Sequence, residues 1–270
     1  MFAGNVKTIR TIWLLLMTLP PLVATAGCAE LFLLCGIPSI FGGIPGAPGS
    51  ASVDSATSGQ SSVDLRSAAG FAVLAGSEVS NSAGATILNG DLGVSPSATV
   101  NGFPPGTVNG AIHAANPTAD QAKLDLTAAF LDAQGRTTNS QTLPGNLGGL
   151  TLAPGLYTNS TSVMISGAGP GNNVTLDAQG DANAVFIFQM GSTLTTGPGS
   201  QVILSGGAKA ANVYWQVGSS ATLDTTSIFK GTLLAQTSIT LKTGAMLEGR
   251  ALAQDGAVTL DSNTVTTPAP

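Results

Sequence analysis

The sequence predicts a mainly β protein: a solenoid of stacked parallel strands, a β-helix, with one long α-helix packed alongside. Three observations carry that expectation. From Phe71 onward, short runs rich in β-branched and aromatic residues are broken by Gly, Asn, Asp and Pro, as strands separated by tight turns are. A Thr-Leu pair recurs through the second half of the chain at the spacing of solenoid coils. One segment only, between Asn116 and Gly135, has helical periodicity instead.

The strand reading rests on "FAVLAGS", "ATILNGDLGV", "GLTLAPGLYT", "NVTLDAQG", "AVFIFQMG", "QVILSGG" and "NVYWQVG". Composition agrees with it: 9% of residues are charged, 43% are hydrophobic and 35 of 270 are Gly, which suits β structure with many turns. The helix begins at Asn116, an N-cap residue, and Pro117, favoured at the first helical position. It stops near Gly135. Ala122, Leu126, Ala129, Phe130 and Ala133 share one face, opposite Asp120, Lys123 and Asp132, so the apolar face is expected to lie on the solenoid.

The repeat aligns "NVTLD", "STLTT", "ATLDT", "ITLKT" and "VTLDS". Thr175, Thr193, Thr222, Thr240 and Thr259 then form one column, with spacings of 18, 29, 18 and 19 residues, and Leu176, Leu194, Leu223, Leu241 and Leu260 form the next. Side chains alternate across a strand, so inward leucines would turn the threonines out. Gln189, Gln216, Gln236 and Gln254 precede the threonines and read as a second, structural ladder of stacked amides.

Residues 1–27 read as a signal peptide, with Lys7 and Arg10 ahead of the apolar run "IWLLLMTLPPLVATA". "TAGC" resembles a bacterial lipobox, although Thr25 replaces the usual aliphatic residue, which makes Cys28 a lipidation candidate. Cleavage after Ala26 and an uncleaved anchor are the alternatives. The mature protein is therefore expected to be secreted or on the outer cell surface, with membrane attachment through an N-terminal lipid in the first case. Residues 28–66 read as an apolar and then Gly/Ser/Pro-rich tether, 67–266 as the β-helix domain and 267–270 as a tail.

The blocks "FAVLAGSEVSNSAGATILNGDLGVSPSATVNGFPPGTVNGAIH", "DLTAAFLDAQGR", "LGGLTLAPGLY", "LDAQGDANAVFIFQMGSTLTT", "NVYWQVGSSATL" and "GRALAQDGAVTLDSNTV" closely resemble the microbial ice-binding family built on an irregular β-helix (DUF3494-type). The resemblance runs from about Phe71 to Val265. It implies a right-handed, three-faced β-helix, discontinuous because N- and C-terminal segments both contribute coils, with the helix along one face. It also implies an exported, antifreeze-like protein that adsorbs to ice through a flat outward face and inhibits recrystallisation. Ice or ordered water is then the partner, and the candidate residues are Thr193, Thr222, Thr240 and Thr259 or the adjoining Thr196, Thr225 and Thr243. Active relatives repeat Thr, Ala or Gly, any residue, then Thr or Asn. Here the last position is Gly199, Ile228 or Met246, and a mixed column of Asp177, Thr195, Asp224, Lys242 and Asp261 stands beside the threonines. The alternative function is a cell-surface adhesive or structural β-helix module that does not bind ice.

Other chemistries have little to build with. A net charge of −5 with only 9 Lys and Arg argues against a nucleic-acid partner, which needs clustered cations. Asp177, Asp224 and Asp261 each follow Thr-Leu at a strand end, where Asp forms turns, so no enzyme is expected. His113 is the single histidine and both cysteines precede residue 36, which leaves no metal site and no cofactor in the expected domain. His113 is expected to pack under the helix, and the glycine-rich stretch 167–173 to form a turn rather than a phosphate loop. A monomer is expected.

Overall fold

A computed structural model of the protein describes residues 59–82, 84–166 and 173–269. The expected signal peptide, Cys28 and the expected tether up to residue 58 lie outside the described residues, as does most of the 167–173 stretch.

Every pairing between the described strands is parallel. The strands form sheets of twelve, seven and three members. The chain visits the sheets in rotation. Gly155–Asn159 lies in the first, Val163–Ile165 in the second and Val174–Asp177 in the third, and Phe186–Met190 returns to pair with Gly155–Asn159. This is the β-helix the repeat predicted. Two eight-residue strands, Ile228–Ala235 and Met246–Ala253, serve two stacks at once: their first residues continue to Thr264–Thr266 and Ile87–Asn89, and their last residues pair with Tyr214–Val217 and with Val73–Leu74. Gly231, at φ +106°, and Gly249 sit at the change of partner, where a Cβ on Gly249 would lie 1.9 Å from the carbonyl oxygen of Gly231.

The stack is discontinuous in sequence. Phe71–Ala75, Val79–Asn81 and Ile87–Asn89 pair with Met246–Ala253, Val258–Leu260 and Thr264–Thr266, the last strands of the chain. A second N-terminal coil, Asp91–Val94, Val100–Asn101 and Thr107–Val108, pairs with the first, and Ile112–Ala114 extends the first sheet. Helix α1 (Pro117–Gly135) then leads to Gln141–Thr142 at the opposite end of that sheet.

The inside of the solenoid is a continuous aliphatic core. Leu176, Leu194, Leu223, Leu241 and Leu260 are all buried, each contributing about 1.5–3 kcal/mol of transfer free energy. Aromatic rings stack through it, with Phe188 lying 5.4 Å from Tyr157 and 4.0 Å from Trp215, and Trp215 5.0 Å from Phe229. The indole N–H of Trp215 is satisfied by the carbonyl of Lys230 at 3.0 Å.

A second core lies outside the solenoid, between α1 and the first sheet. Ala122, Leu126, Ala129, Phe130 and Ala133 meet Leu74, Leu156, Ile187, Tyr214, Leu234 and Leu252 there. The Asn116 side chain accepts from Ala119 N–H at 3.0 Å, the N-cap the sequence indicated. His113 stands beside it, its Nδ1 3.2 Å from Asn116 Nδ2 and its ring 5.5 Å from Phe71, so the histidine supports the cap. Val63 and Leu65 are buried in this core too, so packing begins ahead of the expected boundary at residue 67.

Two expectations about polar residues fail. Gln189 and Gln216 are stacked partners, but Gln216 faces Leu234 on the next coil, and Gln236 and Gln254 lie beyond the strand ends. No four-member amide ladder forms. Gln189 instead caps α1, donating to the carbonyls of Ala133, Gln134 and Arg136, which its helix would otherwise leave open. Lys123, placed on the solvent face by helical spacing, turns back and donates to the carbonyls of Ala253 and Gln254.

Candidate binding surface

α1 covers the part of the first sheet built from residues such as Leu74, Ile187, Tyr214, Leu234 and Leu252, whereas the seven-stranded sheet presents its outer side to solvent. Along it one column of outward residues runs Met164, Thr195, Thr222, Thr240, Thr259, Ser80 and Asn101, each the register partner of the next. The inward neighbours on successive coils include Leu194, Ala221, Ile239, Val258 and Val79, all buried. Four consecutive threonines therefore stand one above another over an aliphatic spine, at the spacing of about 4.8 Å set by parallel pairing.

This corrects the alignment read from the sequence. Thr195, not Thr193, shares the column with Thr222, because Leu194 pairs with Ala221 rather than with Leu223. Thr175 belongs to the three-stranded sheet, between Thr151 and Ile203. The error arose from matching the Thr-Leu dipeptides; matching the turns would have avoided it. "GSTLT" at 191–195 and "GSSAT" at 218–222 start from the same Gly-Ser turn, where Gly218 N–H bonds to Met190, and that alignment puts Thr195 over Thr222.

Thr193 belongs to a neighbouring outward column with Ser162, Ser220 and Ser238. The ladder bonds from Val163 to the Thr193 carbonyl, from Leu194 to Ser220 and from Ala221 to Ser238 fix that order, and the Thr193 and Ser162 hydroxyls are 2.8 Å apart. This serine column was missed, although Ser precedes Thr by two residues in both "SAT" and "SIT". Alternate residues in a strand lie about 6.6 Å apart, so the two columns make a regular grid of small hydroxyl-bearing side chains.

Asp224, Lys242 and Asp261 follow the threonines on the far side. Lys242 Nζ lies 3.2 Å from Asp224 Oδ1. The Thr225 N–H, assisted by the Lys242 ammonium, holds the Asp224 carboxyl below the usual range. Thr243 donates to Asp261. The charged residues thus form the margin of the grid, whereas Thr195 and Asp177, expected in the same column, lie elsewhere.

The second set of candidates does not face outward from the flat sheet. Thr196 is buried and its hydroxyl accepts from Asp224 N–H at 2.7 Å. Thr225 and Thr243 lie in turns between strands. The tetrads "TGPG", "TTSI" and "TGAM" run around a corner, so Gly199 is a turn residue at φ +65° and Ile228 and Met246 are stacked partners on another sheet face. Among the described residues no cluster of His, Cys, Asp or Glu could hold a metal ion.

Fold and surface together define a parallel β-helix that displays a hydroxyl grid on an open sheet. The grid is uncharged along the rungs from Thr195 to Thr259 and ends at Glu78, which follows Ala257 in the serine column and accepts from Asn101. The family model described as Ice-binding-like matches residues 73–266, and the chain belongs to that family. It is 46% identical over 202 residues to an ice-binding protein of Nostoc sp. (strain HG1), covering 74% of this chain and 72% of that relative. It is 33% identical over 233 residues to Ice-binding protein 1 of Shewanella frigidimarina (strain NCIMB 400), covering 75% of this chain but 26% of that longer protein. Among solved structures, an ice binding protein from an Antarctic biological consortium superposes with a TM-score of 0.75 at 53% identity, covering 78% of this chain and 93% of that one. The ice-binding protein of the Antarctic ascomycete Antarctomyces psychrotrophicus superposes with a TM-score of 0.72 at 43% identity, covering 78% and 100%.

Proposed function

We propose that the protein binds ice through the seven-stranded sheet, with Thr195, Thr222, Thr240 and Thr259 as the central column and Thr193, Ser220 and Ser238 beside it. The observation that carries this reading is the uninterrupted register of the four threonines on the open sheet. A β-branched threonine has few rotamers to lose, and it offers water a methyl group and a hydroxyl at a fixed position. A rigid grid of such groups orders water into an ice-like layer, and adsorption through that layer curves the growing ice front and slows it. Thr196, turned inward at its strand end, and Thr225 and Thr243, in the turns, are left outside the contact.

The reading includes export through residues 1–27 and attachment through Cys28, with no catalytic role. Intact mass of the membrane-extracted protein tests the attachment, and an unmodified Cys28 ends it. No helix of the described residues is long and apolar enough to cross a membrane.

Thermal hysteresis and ice recrystallisation, measured on the wild type and on Thr240→Tyr, test the principal claim. The bulky ring breaks the plane without touching the core, so both activities are expected to fall while the melting temperature holds. Absence of both activities in the wild type at high concentration would leave the surface-module reading in their place.

A further inference from the structure

On the helix-covered side of the molecule, an open cleft of about 480 Å³ is lined by Arg250, Tyr214, Asn212, Arg66 and Asp64 over the apolar floor of Val63, Leu65 and Pro268. Arg250 is the pivot. Its Nε donates to the Ala69 carbonyl at 2.8 Å and its Nη1 approaches Thr232 Oγ1 at 3.4 Å, while Nη2 makes no hydrogen bond to a described residue. No carboxylate among the described residues pairs with it, although the guanidinium is partly withdrawn from water and its pKa is lowered by that burial. A partly buried cation without a counter-charge is costly, and a guanidinium with a free edge is shaped for an oxyanion.

Tyr214 adds a second donor. It lies directly along the outward column from Thr232 and Arg250 and lines the same cleft, with its phenol close enough to the guanidinium for the two to interact electrostatically. Arg66 stands on the rim, 3.7 Å from carboxylate oxygens of both Asp64 and Asp125. Asp64 is the one carboxylate in the lining, and with Asp125 it balances Arg66, so Arg250 is the cation of the cleft left without a carboxylate partner among the described residues.

We propose that this cleft binds an oxyanion, with Arg250 Nη2 and the Tyr214 hydroxyl as the principal donors and the apolar floor seating the body of a small organic acid. The chemistry fits the carboxylate of an acidic sugar, and it also fits free inorganic phosphate. The site is remote from the threonine grid and is independent of ice binding.

The test titrates glucuronate, glucose and inorganic phosphate separately into the full chain, with calorimetry for affinity. Saturable binding of glucuronate but not glucose identifies a carbohydrate source, and saturable binding of phosphate alone identifies an inorganic one. In either case Arg250→Gln is expected to weaken binding about tenfold or more, and Tyr214→Phe about threefold to tenfold, the effects of losing a charged and a neutral hydrogen bond. Tyr214→Phe retains the packed ring, so it remains informative should Arg250→Gln unfold. The proposal is overturned when neither anion binds at millimolar concentration, or when binding is unchanged in Tyr214→Phe and in a folded Arg250→Gln protein.

Discussion

Lys123 shows how one side chain acquires a role that helical spacing does not reveal. It sits on the flank of α1 beside the cleft formed with Ser95, Asp120 and Asp255, and its ammonium reaches the carbonyls of Ala253 and Gln254 across the seam between helix and strand. Burial, offset in part by the Asp255 carboxylate, lowers its pKa from 10.5 to about 8. The folded state therefore holds the proton less tightly than the unfolded chain. Below pH 8 both states are charged and the full cost of burying the charge is present; above pH 10.5 both are neutral and that cost is gone. Stability is expected to rise as pH increases from about 8 towards 10.5, and urea titrations across that window should show the rise in the wild type and a flatter profile in Lys123→Met. The threonine register was lost at the same scale. Thr193 and Thr195 lie on the same side of the strand, and only the neighbouring backbone bonds decide which of them stands over Thr222.

At the scale of elements, much was legible because the signals are local. Helix α1 occupies Pro117–Gly135 with the expected cap and buried face, since both depend on residues within a turn of one another. Strand interiors were equally plain: "FAVLA" is buried at every position because it lies between the solenoid core and the helix-facing core. The corner built by Gly231 and Gly249 was not visible, since it depends on which strand is the neighbour. Gly249→Ala would place a Cβ 1.9 Å from the Gly231 carbonyl, a backbone group that cannot swing away, and loss of about 3 kcal/mol or more is expected. Gly135 is the control. A Cβ there meets nothing within 4 Å, so Gly135→Ala is expected to be neutral or to stabilise by about 0.4–1 kcal/mol. Thermal melts of the two variants should move far apart, and similar melting temperatures would refute the assignment of the corner.

At the scale of the whole molecule, the decisive feature is the seam where the first strands of the domain stack on the last. The binding sheet crosses it, because Ser80 continues the column beyond Thr259, so the regularity of the grid depends on segments nearly the whole domain apart in sequence. Local propensity could not place that seam; family resemblance supplied it, and the register of Val79 with Val258 gives its geometry. Asn263 is the residue that ties it. Buried at the turn before Thr264, it donates through its side chain to the carbonyls of Lys242 and Ala245, accepts from Asp261 N–H, and gives its own N–H to the Thr86 hydroxyl across 177 residues of chain. Its carbonyl accepts from Ile87 N–H. The side-chain bonds hold the turn of Lys242 and Ala245, whereas those that cross the seam use the Asn263 backbone. Thr86→Val, which removes the acceptor of the buried Asn263 N–H, is therefore the variant that weakens the seam, at about 1–3 kcal/mol for the group left unsatisfied, while the coils around Thr222 and Thr240 keep their own neighbours. Stacked coils open from their weakest junction. Hydrogen exchange of this variant should therefore show Val258 and Ile87, whose N–H groups bond across the seam to Glu78 and Asn263, losing protection before Ala221 and Ile239, with ice activity falling in proportion to the lost rungs. Uniform loss of protection along the stack would mean that the seam is no weaker than the continuous coils and that the domain unfolds as one unit.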